Sequence, residues 1–127
     1  MTHMDHYRSS EDTVYPQPEF TLGQLQRELK CWVAKQNFKT RHELHPLLGV
    51  MEEVGELSHA VLKSRQGIRG TEQKHRLKML DAVGDIVIYL ADFCTEHGFD
   101  FQRAVEETWS QVKKRDWSKD RDSGGTA

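Results

Sequence analysis

The chain has 127 residues, 36% of them hydrophobic and 30% charged, and its mean hydropathy is −0.75, which fits one domain with one core and a polar excess left for tails and exposed faces. Lys and Arg number 18 against 20 Asp and Glu, a net charge of −2 that excludes a dedicated binder of nucleic-acid polymers, since those carry a strong basic excess. No apolar run is long enough to span a membrane, MTHMDHYRSS does not read as a secretory leader, and Cys31 and Cys94 have no framework spacing, so the expected setting is the cytoplasm with both thiols reduced.

Residues 1–19 are polar, contain Pro16 and Pro18, and read as a disordered, mobile arm; SKDRDSGGTA at 118–127 reads as a disordered tail. The folded body is expected over 20–117. Its first helix has a marked start. Thr21 can cap it, Gln24 falls at the third helical position, and Phe20 can staple onto Leu25. Leu22, Leu25, Leu29, Trp32 and Val33 then recur at helical spacing, and the helix should end near Gln36–Phe38 before the polar link NFKTRHELH.

A second helix should begin at Pro46, a residue favoured in the first turn, and stop before Gly67, or at the latest Gly70. Leu47, Val50, Met51, Val54, Leu57, Val61 and Leu62 form its apolar stripe. After a glycine-containing loop, a third helix is expected from about Lys74 to His97, with Gly98 as its stop. Its segment IVIYLADFC is apolar nearly all round, as suits a helix in the middle of a bundle. The run Ile86-Val87-Ile88 also fits a strand, but length and period favour helix. Asp100 can cap a fourth helix that carries Phe101, Ala104, Val105, Thr108, Trp109 and Val112 on one face. With no useful strand pattern, the fold class is all-α: four main helices in an antiparallel bundle. A single layer of four leaves much of the first and last helices uncovered, so an oligomer is expected.

The chemistry-bearing residues are acids on the two central helices. Glu52, Glu53 and Glu56 share a face of the second helix, and Asp81 and Asp85 lie one turn apart on the third, with Asp92 continuing the line. Asp85 stands at the edge of an apolar stretch, where a carboxylate is expensive to desolvate unless paired or bound to a cation. Gly55 and Gly84 sit in mid-helix beside acids, where glycine costs about 1 kcal/mol against alanine. This pairing points to close helix approach that brings the acidic stripes together. Carboxylates converging from two helices would make an all-oxygen site suited to Mg²⁺ or Mn²⁺. The alternatives are a solvated glutamate face and, for Asp85, a buried partner for Arg or Lys. His59, on the polar side of the second helix, reads as a surface residue.

Between the stripes the charge reverses. Lys63, Arg65, Arg69, Lys74, Arg76 and Lys78 stand against only Glu72, and Lys113, Lys114 and Arg115 form a second basic group. A basic loop beside an acidic metal site suits a polyphosphate; the alternative is an ordinary solvated loop.

On these residues the chain resembles the MazG-like all-α nucleoside triphosphate pyrophosphohydrolases, whose pattern is EExxE on one helix and ExxD on the next. Glu52-Glu53-Val54-Gly55-Glu56 matches the first part and Asp85 the final acid of the second; the words EEVGEL and GDIVIYL are also typical, and the likeness runs from about Thr21 to Trp117. The first acid of ExxD would fall at Ala82, a departure for which Asp81, one residue earlier and on the same face, is the candidate substitute. The resemblance implies a Mg²⁺-dependent enzyme, Mn²⁺ being possible, that cleaves between the α- and β-phosphates of a (d)NTP. Its products are a (d)NMP and pyrophosphate, a nucleotide-pool house-cleaning reaction, and the protein would be a homodimer or homotetramer. It implies Glu53, Glu56 and Asp85 as metal ligands, with Asp81 beside them, and Glu52 as the residue that orients the attacking water or holds a second metal. Lys63, Arg69 and Lys74 are candidates for the polyphosphate. Trp32 and Asn37, with Phe38, are candidates for the base, Trp32 being otherwise a core residue. A non-catalytic metal- or nucleotide-binding regulator of the same fold, with Ala82 marking lost chemistry, and a purely structural helical oligomer are the competing readings.

Overall fold

The computed structural model describes residues 20–119; the expected arm at 1–19 and most of the expected tail, 120–127, lie outside the described residues. Four helices follow in order: α1 (Leu22–Gln36), α2 (His45–Gln66), α3 (Glu72–Glu96) and α4 (Phe101–Val112). The described residues contain no strand, and none of their helices is long and apolar enough to cross a membrane.

Local sequence sets most of the boundaries. At α1 the Thr21 hydroxyl accepts from the Gln24 N–H (3.0 Å) while the Gln24 side chain accepts from the Thr21 N–H (2.9 Å), a reciprocal cap. Phe20, expected to staple onto Leu25, is 67% exposed. Asn37 ends α1 in the left-handed conformation at φ 52°, ψ 48°. Pro46 sits in the first turn of α2 and Gly67 closes it at φ 66°. Thr71 caps α3 through the Lys74 N–H, so α3 starts two residues ahead of the expected Lys74; Asp100 caps α4 through the Arg103 N–H.

α3 is the hub. α2 packs along it antiparallel, with Gly49 against Tyr89 near one end and Ser64 bonded to Glu72 at the other. α1 also runs antiparallel to α3: Gln26 bonds Thr95, while Trp32, two turns on, shares a cleft with Ile88 and Tyr89. α4 returns along α3 and meets the start of α1, where Gln26 accepts from the Phe101 N–H and Gln102 accepts from the Gly23 N–H. The bundle is therefore antiparallel about α3, with α1 and α2 running the same way. The connection 37–44 must double back along α3 to join them.

The core is small. Ala91, Cys94 and Phe101 form its centre, with Leu22, Leu25, Leu29, Val87 and Leu90 packed around them. Close approach is achieved by residues other than the glycines expected to provide it. Nothing lies within 4 Å of where a Cβ would stand on Gly55 or Gly84. The tight contacts are instead at Gly49, where a Cβ would fall 2.5 Å from the Tyr89 ring, and at Ala60 and Ala82, which are 1% and 2% exposed. The apolar stripe of α2 is likewise only partly covered: Leu47, Met51, Val54, Val61 and Leu62 remain between 41% and 63% exposed, because α3 covers one side of the helix alone.

Candidate functional site

Two clefts adjoin where α2 and α3 pack. The first, about 270 Å³, is lined from α2 by Glu53, Glu56, His59 and Ala60 and from α3 by Lys78, Asp81, Ala82 and Asp85. Both sets recur at three- and four-residue spacing, so each occupies one helical face. Antiparallel packing sets the faces opposite one another. The two buried alanines line this cleft between the acids, and small side chains there leave room between the helices.

The neighbouring carboxylates act on Glu53. Burial pushes the Glu53 carboxyl above its ordinary range, and the charges of Asp85, Glu52, Glu56 and Asp81 push it further the same way. Glu52 does not line the cleft, but its charge reaches both Glu53 and Tyr89. Among the described residues, no group of three or more His, Cys, Asp or Glu side chains is drawn together as a metal-holding set. The donor chemistry nevertheless fits a hard divalent cation: four carboxylate groups around one cavity, with repulsion at Glu53 that a cation would relieve.

The second cleft, about 400 Å³, shares Glu53 and Asp85 with the first. Its remaining walls include Trp32 and Val33 from α1, Phe38 and Arg41 from the connection, and Tyr89 and Asp92 from α3. Trp32 is 54% exposed and meets Phe38 edge-on, with ring centroids 6.4 Å apart. This is not the position of a core tryptophan. Tyr89 stays a protonated phenol, its pKa raised by burial and then by the charges of Glu52, Glu53, Asp85 and Asp92.

Thus the structure brings Glu53, Glu56, Asp81 and Asp85 together, and puts Trp32 next door. It does not bring Lys63, Arg69, Lys74 or Asn37 to either cleft. Lys63 bonds the Gln66 side chain (2.9 Å), Arg69 holds a left-handed φ of 60° in the α2–α3 loop, and Asn37 serves as the α1 cap. That loop is tied down rather than loose. Buried His75 donates from Nε2 to the Ile68 carbonyl (2.9 Å) and packs under Gly70. Lys78 is the member of the basic stretch that lines the acidic cleft, and His59 lines it too. The sequence reading missed Tyr89 and Arg41. Tyr89 lies one turn beyond Asp85 inside a run read as apolar. Arg41 lies in a link read only as polar, and nothing local marks it.

No protein-family model matches the chain, and no curated protein matches it.

Proposed function

We propose that the chain is a cytoplasmic Mg²⁺-dependent nucleoside triphosphate pyrophosphohydrolase of MazG-like type. The observation that carries this reading is the pair of clefts sharing Glu53 and Asp85. One is acidic and suited to a cation with its phosphates; the other is aromatic and suited to a planar base. Glu53, Glu56, Asp81 and Asp85 would hold the cation, with Mn²⁺ as an alternative. When bound, it would supply Lewis acidity, lower the pKa of water and offset phosphate charge. Lys78, in the same cleft, supplies a positive charge that attracts a phosphate oxygen. Trp32 and Phe38 offer ring edges and faces to the base, and the Tyr89 hydroxyl, kept protonated, can donate a hydrogen bond at the junction. Glu52, next to the cation ligands, orients the attacking water on the family resemblance alone.

One observation favours a second reading. Ala82 is buried in the acidic cleft at the position where the family pattern has an acid. A non-catalytic metal- or nucleotide-binding regulator would look like this. Incubation with a panel of NTPs and dNTPs separates the two. The enzyme reading expects pyrophosphate rather than orthophosphate, release abolished by EDTA and restored by Mg²⁺ or Mn²⁺. Full activity in EDTA refutes the assigned site, and nucleotide binding without release establishes the regulator.

The same reading includes a homodimer or homotetramer. The exposed stripe of α2 and an open apolar groove between α3 and α4, lined by Leu90, Phe101, Val105 and Trp109, are faces that a second copy would cover. Light scattering at micromolar concentration should give at least twice the 14.8 kDa chain mass; a monomer refutes the assembly.

A further inference from the structure

The connection 37–44 is anchored to α3 by one side chain that no sequence pattern announces. Arg41 donates from Nε and a terminal nitrogen to Glu96 Oε1 (3.1 and 3.0 Å), and the same terminal nitrogen donates to Asp92 Oδ1. Asp92 and Glu96 lie one turn apart on α3, so a single planar guanidinium spans both. The side chains of Arg41 and Asp92 are only 26% and 13% exposed, which makes this clamp less screened than an ordinary surface pair.

The clamp is also a wall of the aromatic cleft: Arg41 and Asp92 both line it, and Phe38, three residues before Arg41, carries the ring that meets Trp32. Phe38 is 53% exposed, so apolar packing does little to hold it. Because α1 and α2 run parallel, the connection has to lie along α3, and the guanidinium fixes where it lies.

We propose that Arg41 is a positioning residue for the ligand of the aromatic cleft: clamped by Asp92 and Glu96, it straps residues 37–44 across α3 and holds Phe38 in place as the outer wall. Ligand affinity in the cleft is then linked to the closed fraction of the strap. If losing the clamp leaves it closed about a tenth of the time, apparent affinity falls about tenfold. The strap itself is independent of the hydrolase reading; only the identity of its ligand as a nucleotide rests on that reading.

The test uses the full chain and three variants, Arg41→Gln, Arg41→Lys and Asp92→Asn. Hydrogen exchange reports the strap without any turnover. The amides of His42, Leu44 and His45 are hydrogen-bonded within the connection, to His45 Nδ1, His42 Nδ1 and the His42 carbonyl. Arg41→Gln should speed their exchange while leaving the α3 amides unchanged. With Mg²⁺ and the best substrate of the NTP panel, KM should rise about tenfold with kcat little altered, and Arg41→Lys, which keeps the charge but not the fork, should fall between. Asp92→Asn should match Arg41→Gln in direction. Unchanged exchange in Arg41→Gln overturns the proposal. Faster exchange with KM unmoved overturns it too, by making the clamp merely structural. If the wild type releases no pyrophosphate, the hydrolase reading fails, and equilibrium binding of Mg²⁺·α,β-methylene-ATP replaces KM. Tenfold weaker binding to Arg41→Gln then supports the strap, and equal binding, or none to the wild type, overturns it.

Discussion

Asp85→Asn is expected to lower pyrophosphate release by about 10²-fold or more. Asp85 lines both clefts, so on the proposed reading its charge would serve the cation on one side and the nucleotide on the other. Loss even of groups that only orient metal ligands typically costs about 10–100-fold. Asp81→Asn should act in the same direction if Asp81 replaces the acid missing at Ala82; wild-type turnover in that variant would reduce the site to Glu52, Glu53, Glu56 and Asp85. Glu53→Gln should also lower turnover, while stabilising the metal-free fold at neutral pH. The Glu53 carboxyl binds its proton more tightly in the folded protein than in the unfolded chain, through burial first and neighbouring carboxylates second. Such a group favours folding at pH below the ordinary carboxylate range, and that contribution is lost as pH rises through the raised folded-state value. At neutral pH the metal-free Glu53→Gln protein should therefore have the higher Tm. At about pH 3, where both states are protonated, the difference should disappear. A Tm at pH 7 below that of the wild type would show that Glu53 is held by a favourable partner instead of by repulsion.

The largest effect on stability should come from a single methyl group. In a helix interior, Gly→Ala ordinarily stabilises by about 1 kcal/mol. Gly55→Ala and Gly84→Ala should do so, since nothing stands within 4 Å of the added carbon. Gly49→Ala should reverse the sign. Its Cβ would lie 2.5 to 2.7 Å from three atoms of the Tyr89 ring, and the ring must move. Overpacking of this kind costs about 1–3 kcal/mol, and displacing Tyr89 disturbs the cleft at the junction of its two halves. Thermal melts of the three variants decide the matter. In a Tyr89→Ala background the loss at Gly49 should vanish. Equal Tm shifts at all three glycines would refute the close contact.

Ala82→Glu separates expectation from structure in a similar way. Judged from helix propensity alone, it is a tolerated repair of the family pattern. Ala82 is 2% exposed beside four carboxylates. A glutamate there adds a fifth negative charge, and a longer side chain, to the space that the alanine leaves between the helices.

What the sequence determined by itself is local. Thr21 with Gln24, Pro46, Gly67, Gly98 and Asp100 are chemical stops and starts whose partners lie within a few residues, so the helices were legible with their limits, the start of α3 and the end of α4 excepted. The acidic face was legible too, because spacing alone puts Glu53 with Glu56 and Asp81 with Asp85. Tertiary structure decided everything that depends on which helices touch and in which direction. Apolar spacing shows that α2 has an apolar stripe but not that α3 covers only one side of it. A glycine in mid-helix does not reveal whether a partner backbone or open solvent lies opposite, and Gly49, Gly55 and Gly84 differ in that alone. Lys78 and His59 were visible as charge and surface, yet only antiparallel packing of α2 on α3 turned them toward the acids, while Lys63, Arg69 and Lys74 were turned elsewhere. Arg41 and Tyr89 came to line the candidate site only through contacts between positions some 40 to 55 apart in the chain. No local pattern encodes such contacts, because their energy comes from charge pairing and close packing that exist once α1, α2 and the strap between them are laid against α3.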